Sequence, residues 1–370
     1  MKSKKILLIG PLPPPIGGDT VMTRDLLESS QWRENGLDIV AVDTSHSGEI
    51  RLPEARLSGA DILRAARILR RVLVRLPRSR AVLLWANRRF LCTLGTAIIY
   101  MANLFGKPVM AKAFGGSLGR RIKGMSRRRR RYVTGMLKRC RYILPETEEL
   151  TRELIEDIGI PVSQVRMLPN FLAERYFTEL DKDKRDIEFR GKCLFLGQIK
   201  REKGIFTIIQ GLSGLHSYSC DFYGPVVERD REEFMEKVVP IPNLEYRGIA
   251  SPKEVPDILK SYDALLLPTS HSGEGYPAVI LQAFACRTAV IASRWISIPD
   301  LIGDDERGVL IPVGDQDALV EALDRLSGDR EFRDRVRGNA LEYAIKYSER
   351  RIIGEMLISD ILDGSQHLSR

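Results

Sequence analysis

Short apolar runs alternate with helix-patterned segments along almost the whole chain, and that alternation narrows the fold more than any other feature. Candidate strands fall at 5–9, 38–42, 81–85, 109–113, 142–144 and 165–168 in the first half. A second series falls at 193–196, 220–223, 244–247, 264–267, 289–292 and 309–311. Helical periodicity separates most of them. Alternating strand and helix predicts parallel sheets with helices on both faces. Two such series in one chain predict two doubly wound α/β domains. The charged segment 178–192, TELDKDKRDIEFRGK, has few aliphatic residues and reads as the joint. The expected division is therefore 1–178, 188–345 and a helical tail at 346–370, with helices at 317–326, 331–347 and 352–362.

Composition fits this reading. A chain of 370 residues with 44% hydrophobic and 29% charged residues suits two cored domains. Cys92, Cys140, Cys193, Cys220 and Cys286 are scattered, odd in number and without paired metal spacing, so buried free thiols in a reducing compartment are expected. The apolar run after Met1 ends at Gly10-Pro11, too short for a signal-peptide core, and reads as a first strand. The longest uncharged stretch, 90–105, holds 16 residues, below the roughly 20 needed to span a bilayer, and reads as a buried helix.

Three segments carry candidate chemistry. The first strand runs into GPLPPPIGGD, where Gly17 and Gly18 let backbone amides approach a phosphate at the start of a helix. The bland alternative is a tight turn. The second series opens with CLFLGQIKREKGIFTIIQGL, in which Lys200, Arg201 and Lys203 lie where they can neutralise a diphosphate. A solvated basic loop is the alternative there. The third segment, LLLPTSHSGEGYPAVILQAFAC, places Glu274 before a helix entered through Pro277, with Gln282 eight residues later. A carboxylate favoured by the helix dipole would also explain Glu274.

In order and spacing these segments resemble the retaining glycosyltransferases of family 4, which have two Rossmann-like domains facing across a cleft, the GT-B fold. The resemblance covers about 4–362, and EGYPAVILQAFAC is its most specific piece. It implies transfer of a sugar from a nucleotide-sugar donor to a lipid-linked or saccharide acceptor with retention of configuration, without metal or bound cofactor. It makes Lys203 the diphosphate lysine and Glu274 the residue that meets donor-sugar hydroxyls. Gly197, Gln198, Lys200, Arg201, Gly275, Tyr276, Ala278, Val279 and Gln282 become donor-site residues, and Gly17, Gly18, Gly115 and Gly116 a loop set near phosphate and acceptor. Three departures stand out. Gln282 replaces the carboxylate that usually binds ribose, and Gln198 replaces an arginine, for which Lys200 or Arg201 can substitute. No histidine follows the strand at 109–113; the four histidines are His46, His216, His271 and His367.

Charge is uneven. Residues 1–178 hold 32 Lys+Arg against 16 Asp+Glu, and no acid lies between Asp61 and Glu146 while 22 basic residues do. A polyanionic partner is implied. Arg127, Arg128, Arg129, Arg130 and Arg131, with a basic helix at 62–76 whose apolar positions are Ile62, Leu69, Leu73 and Leu76, predict docking on an anionic membrane. The expected place is the cytoplasmic face, held peripherally. A solvated basic face is the plain alternative. A nucleic-acid-binding protein is the rival from another class, but no zinc spacing or aromatic RNA-binding signature supports it. A catalytically silent or epimerase-like protein of the same fold is the nearer rival.

Overall fold

The computed structural model describes residues 4–14, 17–45, 59–114, 118–177, 188–272, 274 and 277–363. The chain divides into two compact units, Met1–Phe171 with Glu349–Arg370, and Leu172–Ser348. The joint expected at 178–192 lies mostly outside the described residues; the chain passes from one unit to the other just before it, at Phe171.

The first unit is built on a five-stranded parallel sheet: β1 Lys5–Gly10, β2 Asp38–Asp43, β3 Ala81–Asn87, β4 Val109–Phe114 and β5 Tyr142–Ile143. Its order is β2-β1-β3-β4-β5. β1 and β3 carry apolar side chains at nearly every position because helices cover both sheet faces, so neither side faces water. Ile6, Leu8, Leu83 and Trp85 pack on one side; Leu7, Ile9, Val82 and Leu84 pack on the other. The last part of the chain completes the first of these faces, where Ile352, Ile353, Leu357, Ile358 and Ile361 join Met22, Leu26 and Trp32. At its entry Ser29 donates to the buried carboxylate of Glu349.

The second unit holds six parallel strands: β6 Lys192–Leu196, β7 Ser219–Tyr223, β8 Leu244–Gly248, β9 Ala264–Leu267, β10 Ala289–Ser293 and β11 Val309–Ile311. Their order is β11-β10-β9-β6-β7-β8. Phe195, Phe222 and Phe234 stack beneath β6 and β7 with ring centroids 5.9 and 5.4 Å apart. Burying each such ring is worth about 1.5–3 kcal/mol, so the strands that present the candidate site rest on a rigid floor. All five cysteines are buried and free.

Three local expectations are corrected. Residues 165–168 form no strand: Val165 alone bridges Ile143, and Leu168 turns back to the Pro145 carbonyl before Pro169. β5 is only two residues long, and the contact with it is reduced to the Arg166 and Leu168 N–H groups donating to the Ile143 and Pro145 carbonyls. The segment 90–105 is two helices, Arg88–Leu91 and Leu94–Leu104, and its second helix leaves Tyr100 and Leu104 exposed. The basic helix is Gly59–Arg75; of the expected apolar positions Leu76, just past its end, is buried and Leu69 is partly buried against the core, but Ile62 and Leu73 are exposed and Ile68 and Val72 are buried instead. Helical spacing of three, four or seven residues fits both sets, and packing against the core selects between them. Among the described residues no helix is long and apolar enough to cross a membrane.

Candidate functional site

In the second sheet the chain winds from β6 outward through β7 and β8, then returns to the other side of β6 and winds out through β9, β10 and β11. Loops leaving the carboxyl ends of β6 and β9 therefore diverge. A crevice opens at such a switch point, and ligands of open α/β sheets bind there. Lys203 lies on the loop after β6 and Glu274 on the loop after β9.

The two loops are stitched together by backbone. The Glu202 carbonyl accepts from Ser270 N–H at 2.8 Å and from the Thr269 hydroxyl at 3.1 Å. Gly204 adopts φ +78°, and a Cβ there would sit 2.0 Å from the Pro268 carbonyl oxygen. Only glycine permits that approach. A second close approach, a Cβ at Gly224 falling 1.9 Å from the Gly197 carbonyl, packs the ends of β6 and β7 backbone to backbone.

Across this seam Lys203 Nζ donates to Glu274 Oε2, and the pair is mostly buried at 16% and 9% side-chain exposure. Thr269 Oγ1 lies 3.2 Å from the same carboxylate oxygen, and Ser293 donates to the Thr269 carbonyl, so the carboxylate is held from two strands. Beside it Lys200 Nζ is 3.1 Å from His271 Nε2. Burial and the neighbouring Lys203 charge draw the Lys200 ammonium below its usual range. Burial, Lys200 and Lys203 do the same to His271. Trp295 Nε1 donates to the His271 carbonyl at 3.0 Å and fixes the loop.

Of the residues expected in this site, Lys200, Lys203 and Glu274 come together. Arg201 does not join them. Its guanidinium pairs with Glu233 and stacks on Phe206 at 4.5 Å, while its N–H donates to Asp230 at 3.0 Å. Of the two substitutes for an arginine at Gln198, Lys200 is the one in place. Ala278, Val279 and Gln282 lie on the helix Ala278–Ala285, whose N-cap is Pro277. All three are partly exposed. Gly275 and Tyr276 lie outside the described residues. His271 and Thr269 were not singled out from sequence, because a lone histidine in a polar loop carries no signal until β6 and β9 are adjacent.

In the first unit the switch point lies between β1 and β3. Gly17 caps the helix Gly18–Glu28 that follows β1, and the space a Cβ would enter at Gly18 is open. Thr20 closes the turn, accepting from Gly17 N–H at 2.9 Å, and Asp19 adds a negative charge to the first turn. Gly115 and Gly116 lie outside the described residues. On β4, fully buried Lys112 donates to the Leu168 carbonyl, with Glu146 3.9 Å away. Burial lowers this lysine to about 8, and burial also raises the Glu146 carboxyl, against the pull of Lys112. Nothing in the sequence marks this pair.

The basic run forms the helix Arg127–Leu137. Arg127, Arg130, Arg131, Thr134 and Lys138 line one wall of a groove of about 490 Å³ closed by Asp157 and Ile158. Asp157 is itself bound by Lys123 at 2.6 Å. Among the described residues Arg127, Arg128, Arg129, Arg130 and Arg131 make no ion pair with a carboxylate. Tyr132 on this helix is exposed, as are Tyr100 and Leu104 on the helix Leu94–Leu104 packed against it and Phe105 just past that helix.

Taken together, the chain is a protein of two doubly wound α/β units, the second carrying a cation–carboxylate pair at its switch point. Residues 177–343 match the family Glycosyl transferases group 1. The chain is 25% identical over 229 residues to an alpha-D-kanosaminyltransferase of Streptomyces kanamyceticus, covering 57% of this chain and 58% of that one. It spans about half the length of the curated relatives it matches. In fold it is similar to a glycosyltransferase from Rickettsia africae, with TM-score 0.73 at 14% identity over 98% of this chain and 99% of that one. It is also similar to Anabaena Alr3699/HepE in complex with UDP-glucose, with TM-score 0.69 at 13% identity over 97% and 99%. The expected fold of two doubly wound, Rossmann-like α/β units is thereby established, and these glycosyltransferase structures share it.

Proposed function

We propose that the chain is a glycosyltransferase that takes a sugar from a nucleotide-sugar donor bound in the second unit. The observation that carries this reading is the Lys203–Glu274 pair at the β6/β9 switch point, inside the segment that matches the glycosyl transferases. Lys203 and Lys200 supply fixed positive charge for the diphosphate, whose negative charge grows as the anomeric C–O bond breaks and its electron pair goes to phosphate oxygen. Glu274 accepts hydrogen bonds from donor-sugar hydroxyls. The acceptor oxygen bonds to the anomeric carbon on the face the diphosphate leaves, so configuration is retained, and the departing phosphate takes the acceptor proton. This scheme uses neither a loop histidine nor a metal or bound cofactor. The UDP-glucose complex of the Anabaena neighbour supports the donor class.

The acceptor in this reading is lipid-linked or a saccharide, and the first unit meets an anionic membrane at the cytoplasmic face. Arginines without a carboxylate partner among the described residues, on a helix that packs against one with exposed aromatic and aliphatic side chains, support that placement. The test is nucleoside diphosphate release from a panel of UDP-, GDP- and ADP-sugars in the presence of a membrane extract and excess chelator, with the product anomer read by NMR. Release dependent on the extract, with the donor's anomeric configuration kept, is expected. Release that needs an added divalent ion, or an inverted product, overturns the metal-free retaining scheme.

A further inference from the structure

The chemistry assigned above uses two lysines and a carboxylate and leaves His271 idle, yet this side chain is built into the same crevice. The His271 backbone N–H donates to Thr269 Oγ1 at 3.1 Å and its backbone carbonyl accepts from Trp295 Nε1 at 3.0 Å, so the backbone on both sides of the ring is tied to the seam. Its Nε2 stands 3.1 Å from Lys200 Nζ. An ammonium has only donors, so at that distance Nε2 is the acceptor and the ring is neutral, with its proton on Nδ1. The charged groups acting on the ring are Lys200 on the loop after β6, Glu202 and Lys203 in the turn that follows, and Glu274 on its own loop. Glu202 is itself bound by Arg229. Two cations and two carboxylates, Glu202 paired with Arg229 and Glu274 with Lys203, thus face an imidazole that burial already disfavours charging.

A diphosphate changes each of these terms. Its oxygens attract both ammonium groups, so Lys200 turns from the ring to phosphate and Nε2 loses its donor. The ligand's own charges then outweigh the two cations that kept the ring neutral. We infer that His271 is a third diphosphate-binding residue of the donor site, neutral and holding Lys200 in the empty protein, and protonated from solvent at Nε2 to donate to a phosphoryl oxygen when the diphosphate is bound. The inference rests on the donor-site reading above and adds a specific consequence. Binding raises the imidazole pKa, so affinity rises as pH falls through the interval between the free-state and bound-state values and is flat outside it. Each unit of that upshift is worth about tenfold in affinity.

The probe is UDP, with GDP and ADP in parallel, titrated by calorimetry from pH 8 to pH 5.5 into the parent, His271→Gln and His271→Ala. UDP carries a terminal phosphate that titrates in this range, so the quantity read is the ratio of parent to variant affinity at each pH. The glutamine amide can still accept from Lys200 and cannot titrate. His271→Gln is therefore expected to bind close to the parent at pH 8 and to fall progressively behind it toward pH 5.5. His271→Ala is expected to be weaker throughout. Imidazole NMR gives a second readout: with four histidines in the chain, the His271 resonance is identified by its loss in His271→Gln, and its midpoint should move upward on saturation with UDP. A parent that binds UDP with an unmoved His271 midpoint and a pH-independent parent-to-glutamine ratio overturns the inference and leaves the donor site standing. A parent that binds none of the three nucleotides overturns the donor-site reading, and the inference with it.

Discussion

Replacing Lys203 by methionine separates the stabilising role of the buried pair from its proposed chemical one. The substitution leaves the Glu274 carboxylate at 9% exposure with the Thr269 hydroxyl, 3.2 Å away, as its remaining named partner. Stranding one member of a buried pair costs about 3–5 kcal/mol. Both side chains keep some contact with solvent, which places this pair near the low end, at about 3 kcal/mol. For a unit of this size each kcal/mol lowers Tm by about 2–4 °C, so Lys203→Met should melt roughly 6–12 °C below the parent and still be folded at 25 °C. Adding Glu274→Gln removes the stranded charge and should restore most of that loss. Turnover should not follow stability. The single and double variants should both transfer sugar about 100-fold or more slowly than the parent, because preorganised charge at the diphosphate is gone in both. Thermal melts and a sugar-nucleotide release assay on the three proteins read the two effects separately. If the double variant recovers activity along with Tm, the pair is a structural ion pair and the chemical assignment is wrong.

Other substitutions probe the surrounding frame. Gly204→Ala should destabilise the second unit beyond the roughly 1 kcal/mol of an ordinary glycine replacement, since its Cβ meets the Pro268 carbonyl at 2.0 Å; a melt within 1 °C of the parent would contradict the seam described here. Gln282→Ala should weaken donor binding while Gln282→Glu keeps much of it, because either end group can hydrogen-bond a ribose hydroxyl; unchanged affinity in the alanine variant, measured by calorimetry, would remove Gln282 from the site. Changing Arg127, Arg128, Arg129, Arg130 and Arg131 together to glutamine should reduce co-sedimentation with phosphatidylglycerol vesicles at low salt and leave nucleotide binding intact. The parent's own binding should fade between 0.1 and 1 M salt as the Debye length drops from about 10 to 3 Å. Equal sedimentation of parent and variant would mark the run as a solvated face.

The sheets were legible in sequence because a strand buried on both faces is apolar at nearly every position, as in the ILLI core of β1 and the ALLL of β9. Lys203 and Glu274 were legible as separate motif residues. Their contact was not, since it depends on β9 returning beside β6, a long-range pairing that local pattern does not encode. The same adjacency decides which charges are free. Arg201 and Lys200 look equivalent in the run IKREKG, but the helix Glu228–Val238 brings Glu233 and Asp230 to Arg201 and leaves Lys200 to His271. The helix Gly59–Arg75 shows the limit of periodicity in another way. Two stripes of apolar residues fit helical spacing, and only packing against the core picks Ile68 and Val72 over Ile62 and Leu73. Burial of Lys112 was illegible for the opposite reason: a lysine in a strand reads as an edge or solvent position, and its carbonyl partner, Leu168, lies far along the chain.

The most direct test of the central claim is the thermal stability of the parent and Lys203→Met proteins against UDP-, GDP- and ADP-sugars, all at one fixed concentration about 100 times the dissociation constant of the class that binds the parent best. One nucleotide class should stabilise the parent by about 2.7 kcal/mol and the variant far less at the same concentration. Equal stabilisation of both proteins would contradict the placement of the donor diphosphate at Lys203, and no stabilisation of the parent by any of the three would contradict a nucleotide-sugar site in the second unit.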